Sequence, residues 1–96
     1  MKPYRLTPAA KKDLSEIWDY TEERWDADQA ESYVREIGAA IERVAEDSLR
    51  GRDCGDIRPG YRRYGIGSHT VYYVDRPDTI DVIRILHQRM DPSRHL

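Results

Sequence analysis

This chain has no pair of cysteines. Cys54 stands alone, which excludes an internal disulfide and a structural zinc site built on several thiolates. It has no apolar run approaching the roughly 20 residues that span a bilayer. The opening Met1-Lys2-Pro3-Tyr4-Arg5-Leu6 lacks the apolar core of a secretory signal, so the expectation is a cytoplasmic protein away from membranes. There is no repeat, low-complexity tract or linker. With 96 residues, 35% of them charged and 39% apolar, the sequence reads as one domain over residues 1–96 with a modest core.

A second absence is local. Residues 49–96 contain neither Lys nor Glu; nine Arg against six Asp give them +3, while seven Lys/Arg against twelve Asp/Glu give residues 1–48 −5, for a total of −2. A cationic surface made only of arginine suits planar, two-pronged contacts to carboxylate or phosphate. An ordinary mixed-charge surface is the plainer alternative. The net negative charge argues against sequence-specific nucleic-acid binding by the chain alone.

What is present is organised around Ile80–Met90, Ile-Asp-Val-Ile-Arg-Ile-Leu-His-Gln-Arg-Met. Its first seven residues are mostly β-branched or aliphatic, and strict alternation leaves both faces apolar at the start and polar at the end. Such a strand is central and needs neighbours and a cover. Residues 2–6 predict a short strand. Thr7-Pro8 predicts a helix start, with Leu14, Ile17, Trp18, Thr21 and Trp25 as the buried stripe and Lys12, Asp13, Glu16, Asp19 and Glu23 opposite. Asp26 to Gln29 predicts a second start, and Ala30, Tyr33, Val34, Ile37, Ile41, Val44 and Ala45 the next stripe, with Gly51 stopping the helix near Leu49. The short connection makes residues 8–49 a helical hairpin. Residues 51–60 read as a loop, then Tyr61–Ile66 and His69–Val74 as strands around a Gly67-Ser68 turn, and Asp91–Leu96 as an irregular polar tail. The fold class is α+β, in the order β-α-α-β-β-β.

Three phrases carry a resemblance: Ile57-Arg58-Pro59-Gly60-Tyr61-Arg62-Arg63, Gly67-Ser68-His69-Thr70-Val71-Tyr72-Tyr73, and Val82-Ile83-Arg84-Ile85-Leu86-His87-Gln88-Arg89-Met90-Asp91. With the opening Tyr4–Leu14 and Ile17-Trp18, they resemble the ParE branch of the RelE/ParE toxin superfamily over nearly the whole chain. The resemblance implies an antiparallel sheet in the order 1-4-3-2, covered on one face by the hairpin. It implies the toxin half of a type II toxin–antitoxin system, a ParD-like antitoxin as partner in a hetero-oligomer, DNA gyrase as target, and no cofactor or metal. RelE-type relatives share the fold but cut mRNA on the ribosome, so the site must separate the two. A third alternative is a degenerate toxin that keeps only antitoxin binding.

RNA cleavage through a 2′-hydroxyl needs a base, a cation and an acid. His87 is the best-placed titratable candidate, but the reading favoured here is a strand cap or contact residue, and no residue is assigned as catalytic. His69 reads as a solvated turn residue and Cys54 as inert. Arg84 is expected to pair with Asp75, Asp91 or the antitoxin. The expected target-binding surface is His87, Gln88, Arg89, Met90, Asp91 and Arg94. The expected antitoxin-binding residues are Arg58, Arg62, Arg63, Arg84 and Trp18, with the antitoxin segment lying in the groove between hairpin and sheet. Removal of the tail is expected to cost little stability.

Overall fold

In the computed structural model, which describes residues 1–96, the strands are β1 (Tyr4–Leu6), β2 (Arg52–Asp53), β3 (Tyr61–Ile66), β4 (His69–Asp75) and β5 (Ile80–His87). The helices are α1 (Pro8–Arg24) and α2 (Ala27–Glu46), with 3₁₀ turns at Ser48–Arg50 and Pro92–Arg94. The helix starts follow the sequence chemistry. Thr7 Oγ1 accepts from the Ala10 N–H at 3.1 Å, and the Asp26 carboxylate accepts from the Gln29 N–H at 2.8 Å, each satisfying a first-turn donor that has no helical partner. Helix α2 stops at Glu46, earlier than expected near Leu49, because Asp47 leaves helical backbone and caps the Leu49 N–H at 3.1 Å.

The five strands form one sheet in the order β1-β5-β4-β3-β2. Strand β5 is central, as its two apolar faces require, but the sheet is mixed. Strand β1 runs parallel to β5, with Tyr4 opposite Ile80 and Leu6 opposite Val82. Only strands joined by tight hairpins must run antiparallel; β1 reaches β5 through both helices and the whole meander. The segment expected as pure loop also contributes β2, which pairs Arg52 with Arg63 and Asp53 with Arg62 and extends the far edge.

Alternation along β5 breaks once. Tyr72 faces Arg84 but Tyr73 faces Val82, so Ile83 is an extra residue. Such a bulge swaps the faces of everything beyond it. Ile85 thereby joins Ile80, Val82, Val71 and Tyr73 in the core under the helices, with Ile17, Ile37, Ile41 and Val44. Leu86 turns to the other face, into a small cluster with Cys54 and Tyr72 that Ile57, Tyr61 and Leu96 partly cover. The C-terminal residues are therefore not an irregular, detached tail: a 3₁₀ turn brings Leu96 back onto the sheet.

Candidate partner-binding surfaces

Strand β1 covers only the first half of the β5 edge, and α1 closes the second half. The Thr7 N–H donates to the Val82 carbonyl at 3.0 Å and its hydroxyl to the Ile83 carbonyl at 2.7 Å. Nearly two helical turns later, the Asp13 carboxylate accepts from the Ile85 N–H at 2.9 Å and from the Arg84 guanidinium at 2.7 and 2.8 Å. Asp13 was expected on the charged, solvent-facing side of α1; it is 8% exposed. Arg84 pairs with it rather than with Asp75 or Asp91, and also donates to the His95 carbonyl at 3.2 Å. The hydrogen bonds that Arg84 donates to Asp13, larger in effect than the opposing burial, raise the Arg84 pKa further.

The helix-free face of the sheet carries several further arginines, and most are engaged. Arg5 and Arg76 both hold Asp81, whose pKa is lowered chiefly by the hydrogen bond from Arg5. Arg58 donates to the Leu96 carbonyl at 2.7 Å and stacks over Tyr61. Arg63 lies opposite Tyr72 and is exposed. Arg62 does not share this face. It lies opposite Tyr73 on the helix side and donates to the Ser48 and Gly51 carbonyls, so it fastens the chain after α2. Trp18 also lies elsewhere, half-buried with Leu14 and Val34 in a shallow recess along the outer side of the hairpin.

The residues expected as one target surface divide. Gln88, Arg89, Asp91 and Arg94 are exposed beyond β5; Asp91 also caps the Ser93 N–H at 3.0 Å. His87 and Met90 instead turn toward α1 and line a recess of about 260 Å³ with Asp13, Glu16, Ile17, Tyr20, His69, Arg84 and Ile85. A second recess, about 340 Å³, continues past His69 and His87 to Arg24, Trp25, Gln29, Tyr33 and Ser68.

His69 is not a solvated turn residue. It is half-buried, its Nδ1 lies 2.6 Å from the Tyr33 hydroxyl, and its ring meets His87 edge to face with centroids 5.3 Å apart. Burial, helped by the neighbouring His87, lowers its pKa. His87 acts as a strand cap, its Nδ1 accepting from the Arg89 N–H at 3.1 Å. Cys54 is 1% exposed and its thiol pKa is pushed up mainly by burial, consistent with an inert role.

Sequence reasoning missed Asp13, Tyr20, Tyr33 and Trp25 as residues lining these recesses. Trp25 was placed in the core stripe, but α1 ends at Arg24 and Trp25 takes non-helical backbone, which leaves it 71% exposed. Tyr20, 62% exposed, follows Ile17 by three residues. That spacing on the stripe's flank could have flagged it.

Comparison with known proteins identifies the family. The family model described as ParE toxin of type II toxin-antitoxin system, parDE, matches residues 4–92. The protein named Toxin ParE1 from Mycobacterium tuberculosis is 55% identical over 94 residues, 97% of this chain and 96% of that one. Toxin ParE1 from Caulobacter vibrioides is 47% identical over 97 residues, covering 100% and 99% of the two chains. A solved structure titled as the chromosomal ParDE TA system from P. aeruginosa shares the fold at a TM-score of 0.79 and 19% identity, over 91% of this chain and 96% of that one. No helix is long and apolar enough to cross a membrane. The chain belongs to the ParE toxin family of type II toxin–antitoxin systems.

Proposed function

We propose that the protein arrests bacterial growth by binding DNA gyrase and poisoning it, without catalysis of its own, and that a ParD-like antitoxin holds it inactive in a hetero-oligomer. The observation that carries this reading is the commitment of the polar groups where RNA cleavage would need free ones. Arg5 and Arg76 are spent on Asp81, and Arg84 on Asp13. Both carboxylates are thereby engaged. The Nδ1 atoms of His69 and His87 are engaged by Tyr33 and the Arg89 N–H. A cation, a free base and a free acid facing one another are what in-line attack on a phosphodiester requires.

Binding asks less. Gln88, Arg89, Asp91 and Arg94 beyond β5, joined to Arg58 through its bond to Leu96 and flanked by Arg63, offer the arginine-rich contacts that dominate protein interfaces. The test runs purified protein with gyrase in supercoiling and DNA-cleavage assays, beside a ribosome-dependent mRNA cleavage assay. Stabilised gyrase cleavage with intact mRNA supports the reading. Cut mRNA and unaffected gyrase replace it with the nuclease. Growth rescue by co-expression identifies the ParD-like antitoxin.

A further inference from the structure

The furrow between α1 and β5 has three features that point to one occupant. Its two recesses, about 260 and 340 Å³, share Tyr20, His69 and His87 and form one track along the hairpin. Each is at or below the low end of the cofactor range and matches one or two anchoring side chains of a peptide. Its rim is apolar and exposed, with Tyr20, Trp25 and Met90 at 62, 71 and 38%. Its middle is a pair of imidazoles.

The hydrogen bonds fix how those imidazoles face the furrow. His87 Nδ1 accepts the Arg89 N–H, so in the neutral ring the proton sits on Nε2. The Tyr33 hydroxyl accepts from the Ser68 N–H at 3.1 Å, and its own proton is best directed at His69 Nδ1, 2.6 Å away, rather than at the Ile66 carbonyl at 3.4 Å. In that arrangement the neutral His69 ring also carries its proton on Nε2. Two adjacent rings then present N–H donors and no acceptor. This set suits an anion and opposes a metal, which would need bare nitrogens.

We propose that this furrow binds an acidic, apolar-anchored segment of the antitoxin, one carboxylate of which is held by His69 and His87. The proposal rests on the antitoxin reading above. Asp13 and Glu16 line the end of the furrow nearest Arg84 and disfavour a phosphate backbone lying along it. A single carboxylate at the histidine pair, with Arg24 on the far side, avoids them. Exposed apolar groups on a domain this small call for standing cover, and the antitoxin is the standing partner.

The charged and titratable groups around the pair are Asp13, Glu16, Tyr20 and Arg24 from α1, Tyr33 and Glu36 from α2, and Arg84 on β5. None of these carboxylates is hydrogen-bonded to either ring, so the docked one is the new anion at the site. It favours the imidazolium form of His69, whose Nδ1 can then donate to the Tyr33 hydroxyl, and binding takes up a proton as the pH falls.

The test uses the full-length antitoxin that rescues growth, titrated into the toxin by calorimetry at pH 7.5 and 5.5 in buffers of different ionisation enthalpy. Affinity should tighten about tenfold toward pH 5.5, with net proton uptake, as expected for roughly one linked proton. A variant carrying both His69→Gln and His87→Gln, checked for native melting, should flatten that difference to about twofold or less. Tyr20→Ala should weaken binding at both pH values by about tenfold or more while keeping the pH dependence. Asp78→Asn, on a distant exposed turn, controls for surface charge. If the wild type binds no antitoxin at all, the partner reading fails. If it binds but the histidine and Tyr20 variants behave as wild type, or lose only gyrase inhibition, the furrow is not the antitoxin site and this inference is overturned. Should the double variant fail to fold, ¹H–¹⁵N spectra of the wild-type imidazoles with and without antitoxin decide the matter. The His69 ring should shift toward the imidazolium form when antitoxin binds; an unchanged ring overturns it.

Discussion

Asp13 closes the exposed edge of β5 by taking the Ile85 N–H and the Arg84 guanidinium on one carboxylate, 71 and 72 residues away in sequence. A main-chain donor at a sheet edge must be paired, covered or hydrated. Strand β1 ends at Leu6, opposite Val82, and α1 begins at Pro8 after the single residue Thr7, so its first turns lie where the next edge strand would run. The ion pair is thus a fold-level joint. It also fixes one wall of the furrow between hairpin and sheet, since Asp13 and Arg84 both line it.

Replacing Asp13 with Ala should destabilise the domain by about 2–4 kcal/mol, because it orphans a buried N–H and strips a half-buried guanidinium of its partner. For a domain of this size that is a fall in melting temperature of roughly 10–25 °C. Asp13→Asn keeps an acceptor for Ile85 and should lose only about half as much. Urea unfolding with an unchanged m-value checks both; equal, small losses would show that Asp13 is a surface residue after all.

The chain after α2 is fastened by Tyr73, whose hydroxyl donates to the Ser48 carbonyl and accepts the Gly51 N–H, while Arg62 donates to the Ser48 and Gly51 carbonyls. A Cβ on Gly51 would lie 2.1 Å from the Tyr73 hydroxyl and 2.8 Å from the Arg63 carbonyl. Main chain stands on one side and a fully buried ring on the other, so neither yields. Gly51→Ala should cost about 3 kcal/mol or more by overpacking. Tyr73→Phe loses one hydrogen-bonding group and should cost about 1–2 kcal/mol. Thermal melts of the two variants should rank in that order.

Acid stability should depend on Asp81. Its folded pKa lies below the ordinary value of 3.8, first because of the Arg5 hydrogen bond and then that of Arg76 against the opposing effect of burial. A carboxylate that binds its proton less readily when folded contributes stability above its unfolded pKa. That contribution fades as the pH falls through the folded value. The unfolding free energy should therefore hold level from about pH 7 to 5 and decline below about pH 4. In Asp81→Asn the neutral-pH stability should be lower and the acid decline shallower. An acid limb with wild-type slope in that variant would assign it to other groups, Asp75 first.

Much of this was legible because its causes are local. The caps at Thr7 and Asp26, both helix stripes and the Gly67-Ser68 turn rest on neighbours within four residues, and β5 declares its central place by having no polar face in its first half. What was not legible depends on one residue or on distant partners. A single bulge at Ile83 exchanges the faces of Arg84, Ile85 and Leu86, and nothing in a run of β-branched residues marks where it falls. Asp13 shows the same limit from the other side: between Lys12 and Leu14 it reads as a solvent-facing charge, and only the missing edge partner of Ile85 explains its burial. The furrow depends on Tyr20, Trp25 and Met90 staying uncovered; of these, apolar periodicity reads Trp25 as core and passes over Tyr20. Arg62 and Arg63 are adjacent and alike, yet pleating sends one to fasten the chain after α2 and the other to the open face.

The C-terminal residues serve both stability and the proposed target surface, and the two roles can be separated. Leu96 packs against the Cys54, Tyr72 and Leu86 cluster, and the His95 and Leu96 carbonyls accept from Arg84 and Arg58. Deleting Asp91–Leu96 should therefore cost about 1–3 kcal/mol through lost burial and two lost charge-assisted bonds, rather than the small amount expected of a polar tail. Deleting from Ile85 onward removes half of β5 and should abolish folding. A loss of toxicity in the short truncation would then be ambiguous, so the decisive variant leaves the tail in place and carries Arg89→Ala with Arg94→Ala. Both side chains are exposed; Arg89 has no ion-pair partner in the fold, and Arg94 only approaches Asp91 at 3.8 Å. The melting temperature should stay within about 2 °C of wild type, as for ordinary surface substitutions. Gyrase inhibition and growth arrest should fall about tenfold or more, while antitoxin binding through the furrow is retained. A normally folded double variant that remained fully toxic would move the target surface to Arg58 and Arg63.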